Sequence, residues 1–329
     1  MKINYLFTAL SILSVPVYSQ NLIDVLILHG FTEFARDLQL YPNLMAKFSS
    51  SRNDITVWAP INKAVTPVSA SSRIKRNTLS RRQTEAEYST QISHTGQPPT
   101  TVAPTRKRQV VDDLLGFTKR QAGLPASNFA TLRTFLVDST FVNLGPNQPG
   151  RVVSNYAAPP PGSDIATIAV SGGGGAITNQ VSGPFKYDNG LIIGVDGFFG
   201  MPSPLTSTLT SLGLTTFRDG IIATGLEEKL NDTPAMTIFA FANDAIDGDD
   251  TFNVNEHTIT SLLGYSPELV DTGPFTSDAG TKITVKFSGG SVFVNGIRII
   301  KSDITMKNGV VHQLERPLHT YESANNKRK

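Results

Sequence analysis

Between Lys282 and Leu318 apolar and polar residues alternate around three tight turns, a pattern that only a run of short antiparallel strands satisfies. Ile283, Val285 and Phe287 alternate with Lys282, Thr284 and Lys286. Val292 and Val294 follow Gly289-Gly290, Ile297 to Ile300 follow Asn295-Gly296, and Val310, Val311 and Leu314 follow Asn308-Gly309. Asn-Gly favours the positive φ angles of two-residue hairpins, so the stretch reads as a sheet. Upstream, TIFAFANDAI (Thr237 to Ile246) is an apolar strand that runs into Asn243, a residue suited to stopping a strand and capping a helix.

This pair of motifs occurs twice. TVWAPINKAV, starting at Thr56 with Pro60 and Asn62 inside it, overlays TIFAFANDAI. NGLIIGVDGFFGMP, starting at Asn189-Gly190, overlays NGVVHQLERPLH, starting at Asn308-Gly309. The chain therefore reads as two diverged copies of one unit. The motifs stand 133 positions apart in the first copy and 71 in the second, so the first carries 62 extra residues.

The two ordered pairs resemble the motifs of the fasciclin-like domain: a strand T-[VI]-F-A-P-x-N-x-A-[FI], then N-G-V-[VI]-H-x-[IL]-[DE]. The resemblance, of the fungal type, covers most of the chain outside its N-terminal leader, an insert and the tail. It implies an α+β fold of two tandem domains, each a β-sandwich-like strand wedge with packed helices. It also implies a secreted or cell-surface, non-catalytic protein of adhesion, whose partner is extracellular matrix, a cell-wall polymer or a surface protein. Thr56, Pro60, Asn62, Asn189, Gly190, Thr237, Asn243, Asn308, Gly309 and His312 hold the motif positions. The sequence departs from the pattern at Phe241, where the family has proline, and at Ile193, where it has the histidine that His312 supplies in the second copy. Its middle Tyr-His pair is only partly kept, as Tyr265-Ser266 and, in the first copy, Phe135-Leu136.

With 29 basic and 27 acidic residues the chain is nearly neutral, so nothing marks nucleic acid as a partner. Residues 1–19 read as a secretory signal: Lys2, an apolar run from Leu6 to Val17, and a small-residue cleavage site at Val17-Tyr18-Ser19. No later run reaches spanning length, so no transmembrane segment is expected after cleavage. The expected location is extracellular or at the cell surface, with the vacuole or another secretory compartment compatible. There is no cysteine, so packing alone must hold each domain. The domains are expected at 20–203 and 204–320, meeting at a Met201-Pro202-Ser203-Pro204 hinge, with a disordered tail at 321–329.

Residues 21–50 carry apolar residues at steps of three and four and read as helices. From about 66 to 122 no apolar period is sustained, and the stretch reads as a disordered basic insert. Its dibasic pairs end at Arg76, Arg82, Arg108 and Arg120 and fit either secretory processing proteases or a solvated loop. Beyond it, Phe129, Leu132, Phe135 and Leu136 have helical spacing, and Gly172 to Gly175 read as a flexible strand connection. In the second copy a helix is expected around Ile221 to Leu230. Asn231-Asp232-Thr233 is a candidate N-glycosylation sequon in a predicted turn, with Pro234 lowering its occupancy.

Site chemistry is sparse, and neither a cofactor nor a metal is expected. The acidic run Asn243 to Asp250 fails the spacing of a calcium loop, since Ala245 and Val254 fall where ligands belong. Asn62, Asn243 and His312 read as groups that satisfy backbone rather than react. The competing reading is a secreted α/β-hydrolase-like serine esterase. It would use a His29-Gly30 oxyanion turn, Ser171, Asp196 and one of His257, His312 or His319. Against it, Ala169 replaces the first elbow glycine and a glycine run follows Ser171 where a helix must begin.

Overall fold

The computed structural model describes residues 21–48, 55–65, 85–94, 130–157, 167–246, 251–260, 262–270 and 272–319. Three seven-residue helices open the first copy: α1 (Leu22–Leu28), α2 (Thr32–Leu38) and α3 (Pro42–Phe48). Asn21 caps α1 by accepting the Asp24 amide at 3.0 Å. The strands β1 (Ile55–Pro60), β2 (Ile92–His94), β3 (Ala130–Arg133), β4 (Arg151–Ala157), β5 (Thr167–Ser171), β6 (Ile177–Tyr187) and β7 (Gly190–Val195) follow. They form one sheet in the order β2-β1-β7-β6-β5-β4-β3, which curls until its outer strands meet at a Ser93–Thr134 bridge.

The second copy opens with α4 (Leu205–Ser211), α5 (Thr215–Ala223) and α6 (Glu227–Asp232). The strand β8 (Met236–Phe241), β9 (Thr258–Ile259), the short helix α7 (Ser266–Leu269), β10 (Phe275–Thr276) and β11 (Lys282–Ile283) come next. The meander closes with β12 (Val285–Ser288), β13 (Ser291–Val294), β14 (Ile297–Met306) and β15 (Gly309–Leu314). Six of these strands make a sheet in the order β12-β13-β14-β15-β8-β9.

The two copies share one register. β1 runs parallel to β7 with Ile55 opposite Gly190 and Pro60 opposite Val195; β8 runs parallel to β15 with Met236 opposite Gly309 and Phe241 opposite Leu314. The hairpin partners β6 and β14 each carry two register shifts, at matching distances from these glycines. Every residue of β1 and β8 is buried, as expected of central strands covered on both faces. Side chains alternate between two cores in the first copy. Ile55, Val57, Ala59 and Ile192 face the helices, while Trp58, Ile193 and Val195 face the inside of the curled sheet. The second copy packs Leu209, Phe217, Ile238, Phe239, Phe241 and Ile304 in one core. Each such fully buried side chain stabilises the fold by about 1.5–3 kcal/mol relative to exposure.

The Asn-Gly dipeptides divide into two kinds. Asn295-Gly296 has the positive φ angles of a tight hairpin, 48° and 80°. Gly190 and Gly309 do not have positive φ; each is the first residue of its strand and is required for space. A Cβ on Gly190 would lie 1.8 Å from the Ile55 carbonyl oxygen, and one on Gly309 would lie 2.1 Å from that of Met236. These distances are far inside van der Waals contact, so any side chain there pushes the central parallel pair apart.

Several expectations need correcting. Residues 85–94 lie within the stretch expected to be disordered, yet 85–90 are helical and β2 pairs antiparallel with β1. Tyr88 and Ile92 are buried, and Gln91 ties Trp58 O to the Phe199 amide. The remainder of that stretch lies outside the described residues, as do Arg76, Arg82, Arg108, Arg120, residues 1–19 and 321–329. Leu132 belongs to a strand, not a helix, because β3 pairs antiparallel with β4, Leu132 opposite Val152. The helix expected over 221–230 is broken at Gly225, whose φ of 68° ends α5.

Gly309→Ala is expected to destabilise the second copy by about 3 kcal/mol or more, because the clash is with backbone that cannot move aside without parting the central strands. Gly296→Ala, which meets open space and only an unfavourable φ, should cost about 1–2 kcal/mol. Urea unfolding of both variants checks the order.

Candidate functional site

In each copy two asparagines tie the helices to the central strands. Asn62, just past β1, accepts the Glu33 amide of α2 at 3.0 Å and donates to Thr32 Oγ1 at 3.0 Å. Asn243, just past β8, accepts the Thr216 amide of α5 at 3.0 Å and donates to Gly213 O and Thr215 Oγ1. The helix that Asn243 caps begins 28 residues earlier in sequence. Asn189 and Asn308 close the other end of the helical layer. Asn189 donates to Phe48 O at the end of α3, and Asn308 donates to Leu230 O and Thr233 O at 2.7 Å around the end of α6.

His312 is fully buried on β15 and stacks on Phe239. Its Nε2 lies 2.8 Å from Gly264 O and its Nδ1 accepts the Asp303 amide at 3.3 Å, which together fit the Nε2-protonated tautomer. Thr237 donates to Leu262 O and accepts the Gly264 amide, so the Leu262–Gly264 segment is held from two strands. In the first copy Thr56 is buried with its hydroxyl unpaired among the described residues, and Pro60 ends β1 opposite Val195. Asn231 is not in a turn: it sits in the last turn of α6, where Oδ1 accepts the Thr206 amide and Nδ2 donates to Thr206 Oγ1. The atom that would carry a glycan is thus already holding α4.

The serine esterase arrangement is not assembled. Ser171 ends β5, donates to Asp303 O at 2.9 Å, and is followed by a turn and a strand rather than a helix. Asp196 accepts the Asn179 amide at 2.8 Å and its side-chain amide at 3.0 Å. His257 spends both ring nitrogens on Phe239 O and the Leu318 amide, His312 spends both as above, and His319 faces Glu256 at 3.4 Å. His29 caps α1 and stacks on Phe185 at 3.6 Å. Among the described residues no three histidine, aspartate or glutamate side chains converge on a point that would hold a metal. Part of the acidic run, 247–250, lies outside them. A hollow of about 320 Å³ in the first copy has Leu44, Phe135 and Leu136 on its floor and Lys47, Glu85 and Asp138 at its edge.

The surface where the two copies meet is the most elaborate feature. The Gly172–Gly175 run, expected to be a flexible connection, docks on β14: Gly173 bridges Thr305 in parallel fashion and the Gly174 amide donates to Thr305 O. A Cβ on Gly173 would lie 2.2 Å from Met201 C, and one on Gly200 would lie 2.0 Å from Gly173 O. The Met201–Pro204 connection is held at both ends rather than left as a free hinge, by Gly173 N to Gly200 O and by Lys307 N to Ser203 O. Asn143 adds its amide to Lys307 O and its side chain to Asp232 O. Val153, Tyr265 and Val310 form an apolar centre, with the Arg151 guanidinium 6.0 Å from the Tyr265 ring. Thr131 donates to Glu268 Oε2 at 3.1 Å, and Asp303, held at φ 59°, accepts the Ser266 amide at 2.7 Å.

His257 generates a pH prediction. Burial pushes its pKa down to about 4, opposed by its bond to Phe239 O and the charge of Glu256. The folded state therefore resists a proton that the unfolded chain accepts near 6.5. The stabilisation is complete above 6.5 and is lost as pH falls toward 4, at no more than ~1.4 kcal/mol per pH unit. The stability difference between wild type and His257→Asn, read from urea midpoints, should shrink over that window. Ser171 should also fail to react with a fluorophosphonate probe in the folded protein, as mass spectrometry of the treated chain would show.

Residues 212–320 match the family model described as the fasciclin domain. The chain is 24% identical over 241 residues to the fasciclin-like arabinogalactan protein elcF of Phaeosphaeria nodorum, covering 67% of this chain and 77% of that protein. It is 25% identical over 197 residues to a fasciclin-like arabinogalactan protein of Arthroderma benhamiae, covering 56% and 44%. A third, from Cercospora beticola, is 25% identical over 200 residues and covers 57% and 52%, so the chain spans about half the length of the latter two. Among solved structures, a FAS1 domain pair from the insect cell adhesion molecule Fasciclin I aligns over 89% of this chain and 96% of its own. It does so at 16% identity and a TM-score of 0.36. The two copies share their strand register and their asparagine ties within this chain. Residues 212–320 match the fasciclin domain, and the segment before them is built on the same plan of register and asparagine ties.

Proposed function

We propose that the protein is a secreted or cell-surface, non-catalytic binding protein that contacts a cell-wall polymer, a matrix component or a surface protein through its two domains together. The observation that supports this most is the docked seam: the glycine run, the linker and β14 hold the two domains at a set spacing without any covalent cross-link. Two weak contacts at a set spacing bind a repeating partner far more tightly than either alone, by 10²–10⁴-fold where the spacing fits. The names of the fungal relatives, which are fasciclin-like arabinogalactan proteins, agree with a wall-associated setting. Candidate catalytic groups are engaged in structural hydrogen bonds, which supports a binding role over an esterase.

The experiment is retention of the mature protein on cell-wall and matrix fractions, with and without chelator. It is run beside Gly173→Val and beside a variant lacking residues 100–121, which leaves 85–94 in place. Wild type is expected to bind saturably, the shortened variant to bind equally, and Gly173→Val to lose at least tenfold while each domain keeps its circular dichroism. No saturable retention of folded wild type would overturn the proposal. Loss on removing 100–121 would move the binding to the basic stretch.

A further inference from the structure

Two carboxyls stand at the seam with no lysine or arginine bonded to them among the described residues, Asp303, which is buried, and Glu268, which is half-buried. Glu268, on α7, receives the Thr131 hydroxyl from β3 of the other domain and makes no ion pair among the described residues. Three other groups face it. Arg151 on β4 directs its guanidinium to Gln148 Oε1 at 3.3 Å and over the Tyr265 ring, and its Nε is buried without a partner. Asp303 on β14 adds a second carboxyl whose Oδ1 is taken by the Ser266 amide. Tyr265, directly before α7, is fully buried between the domains. Arg133, the remaining cation on the adjoining strand β3, also points to Gln148 Oε1.

We propose that Glu268 is a proton-operated latch between the two domains: protonated, it lets the seam close fully, and ionised, it weakens the docking of one domain on the other. A hydroxyl partner suits both states, since Thr131 can donate to a carboxylate and accept from a carboxyl group. Burial raises the pKa of Glu268 to about 6, with Asp303 adding to the rise and Thr131 and Arg151 opposing it. Separation of the domains would return the group to water and toward its ordinary 4.5. Docking is therefore strongest below 4.5, weakens as pH rises from 4.5 to 6, and is constant above. Between pH 5 and 7 the docking equilibrium should fall on the order of tenfold. The latch acts on the seam itself and does not depend on what the protein binds.

Amide hydrogen exchange on the full-length chain reads this directly, because opening of the seam exposes Asn143 N and Gly174 N, both bonded across it. After correction for intrinsic exchange, and relative to core amides of β1 and β8, protection of these two should drop on the order of tenfold from pH 5 to pH 7. Glu268→Gln should hold protection at its acidic level throughout. Equal protection at both pH values in wild type, or the same drop in Glu268→Gln, would overturn the latch. Should Glu268→Gln not fold, a carbon-13 titration of Glu268 in the wild-type protein decides: a midpoint near 6 supports the latch, and one near 4.5 refutes it.

Discussion

Each domain depends on two parallel strands approaching so closely that one of them must begin with glycine. The carbonyls of Ile55 and Met236 occupy the space where the Cβ of residue 190 or 309 would be. That contact sets the register of β1 on β7 and of β8 on β15, and both strands are then sealed on both faces. With no disulfide available, hydrogen bonds from asparagine hold the helical layer to this pair. Each strand exit carries an asparagine that satisfies the start of the second helix, and each hairpin carries one that satisfies the end of the third. A buried backbone group left unpaired costs about 1–3 kcal/mol, so the asparagines are worth far more than their size suggests.

The seam between the domains is made differently. Most of its hydrogen bonds involve backbone, through Gly173, Gly174, Asn143 and Lys307, and its apolar centre is small. Such a surface fixes orientation without large burial. It also leaves the polar side chains at its edge, Thr131, Glu268 and Arg151, to set how docking responds to conditions.

Much of the plan was readable from the residues because it depends on local pattern. The alternation in 282–318 marks strands whatever surrounds them, and the repeated Thr-to-Asn and Asn-Gly motifs reveal the duplication. Where the reading failed, the cause lay far away in sequence. Residues 85–94 look polar and irregular, yet Tyr88 and Ile92 find a core supplied by α1–α3 and β1. Asn243 has the sequence of a local cap, but Gly213, Thr215 and Thr216 compete for it through the fold. Leu132 and Phe135 are three apart in a segment too short for periodicity to separate strand from helix. The asparagine positions of the candidate set were legible; the seam residues Thr131, Arg151 and Glu268 carry no motif and could be found only from their juxtaposition.

The mutual approach of Gly173 and Gly200 has a consequence for how such a chain can change over time. Gly173 and Gly175 belong to the first domain, but a side chain on the first would strike the linker at Met201-Pro202 and one on the second would strike Lys301 and Ile304 of β14. A gene fusion that joined either domain to a different neighbour would keep each fold and lose the fit. The two halves share a plan but are fitted to one another, and they are not interchangeable parts.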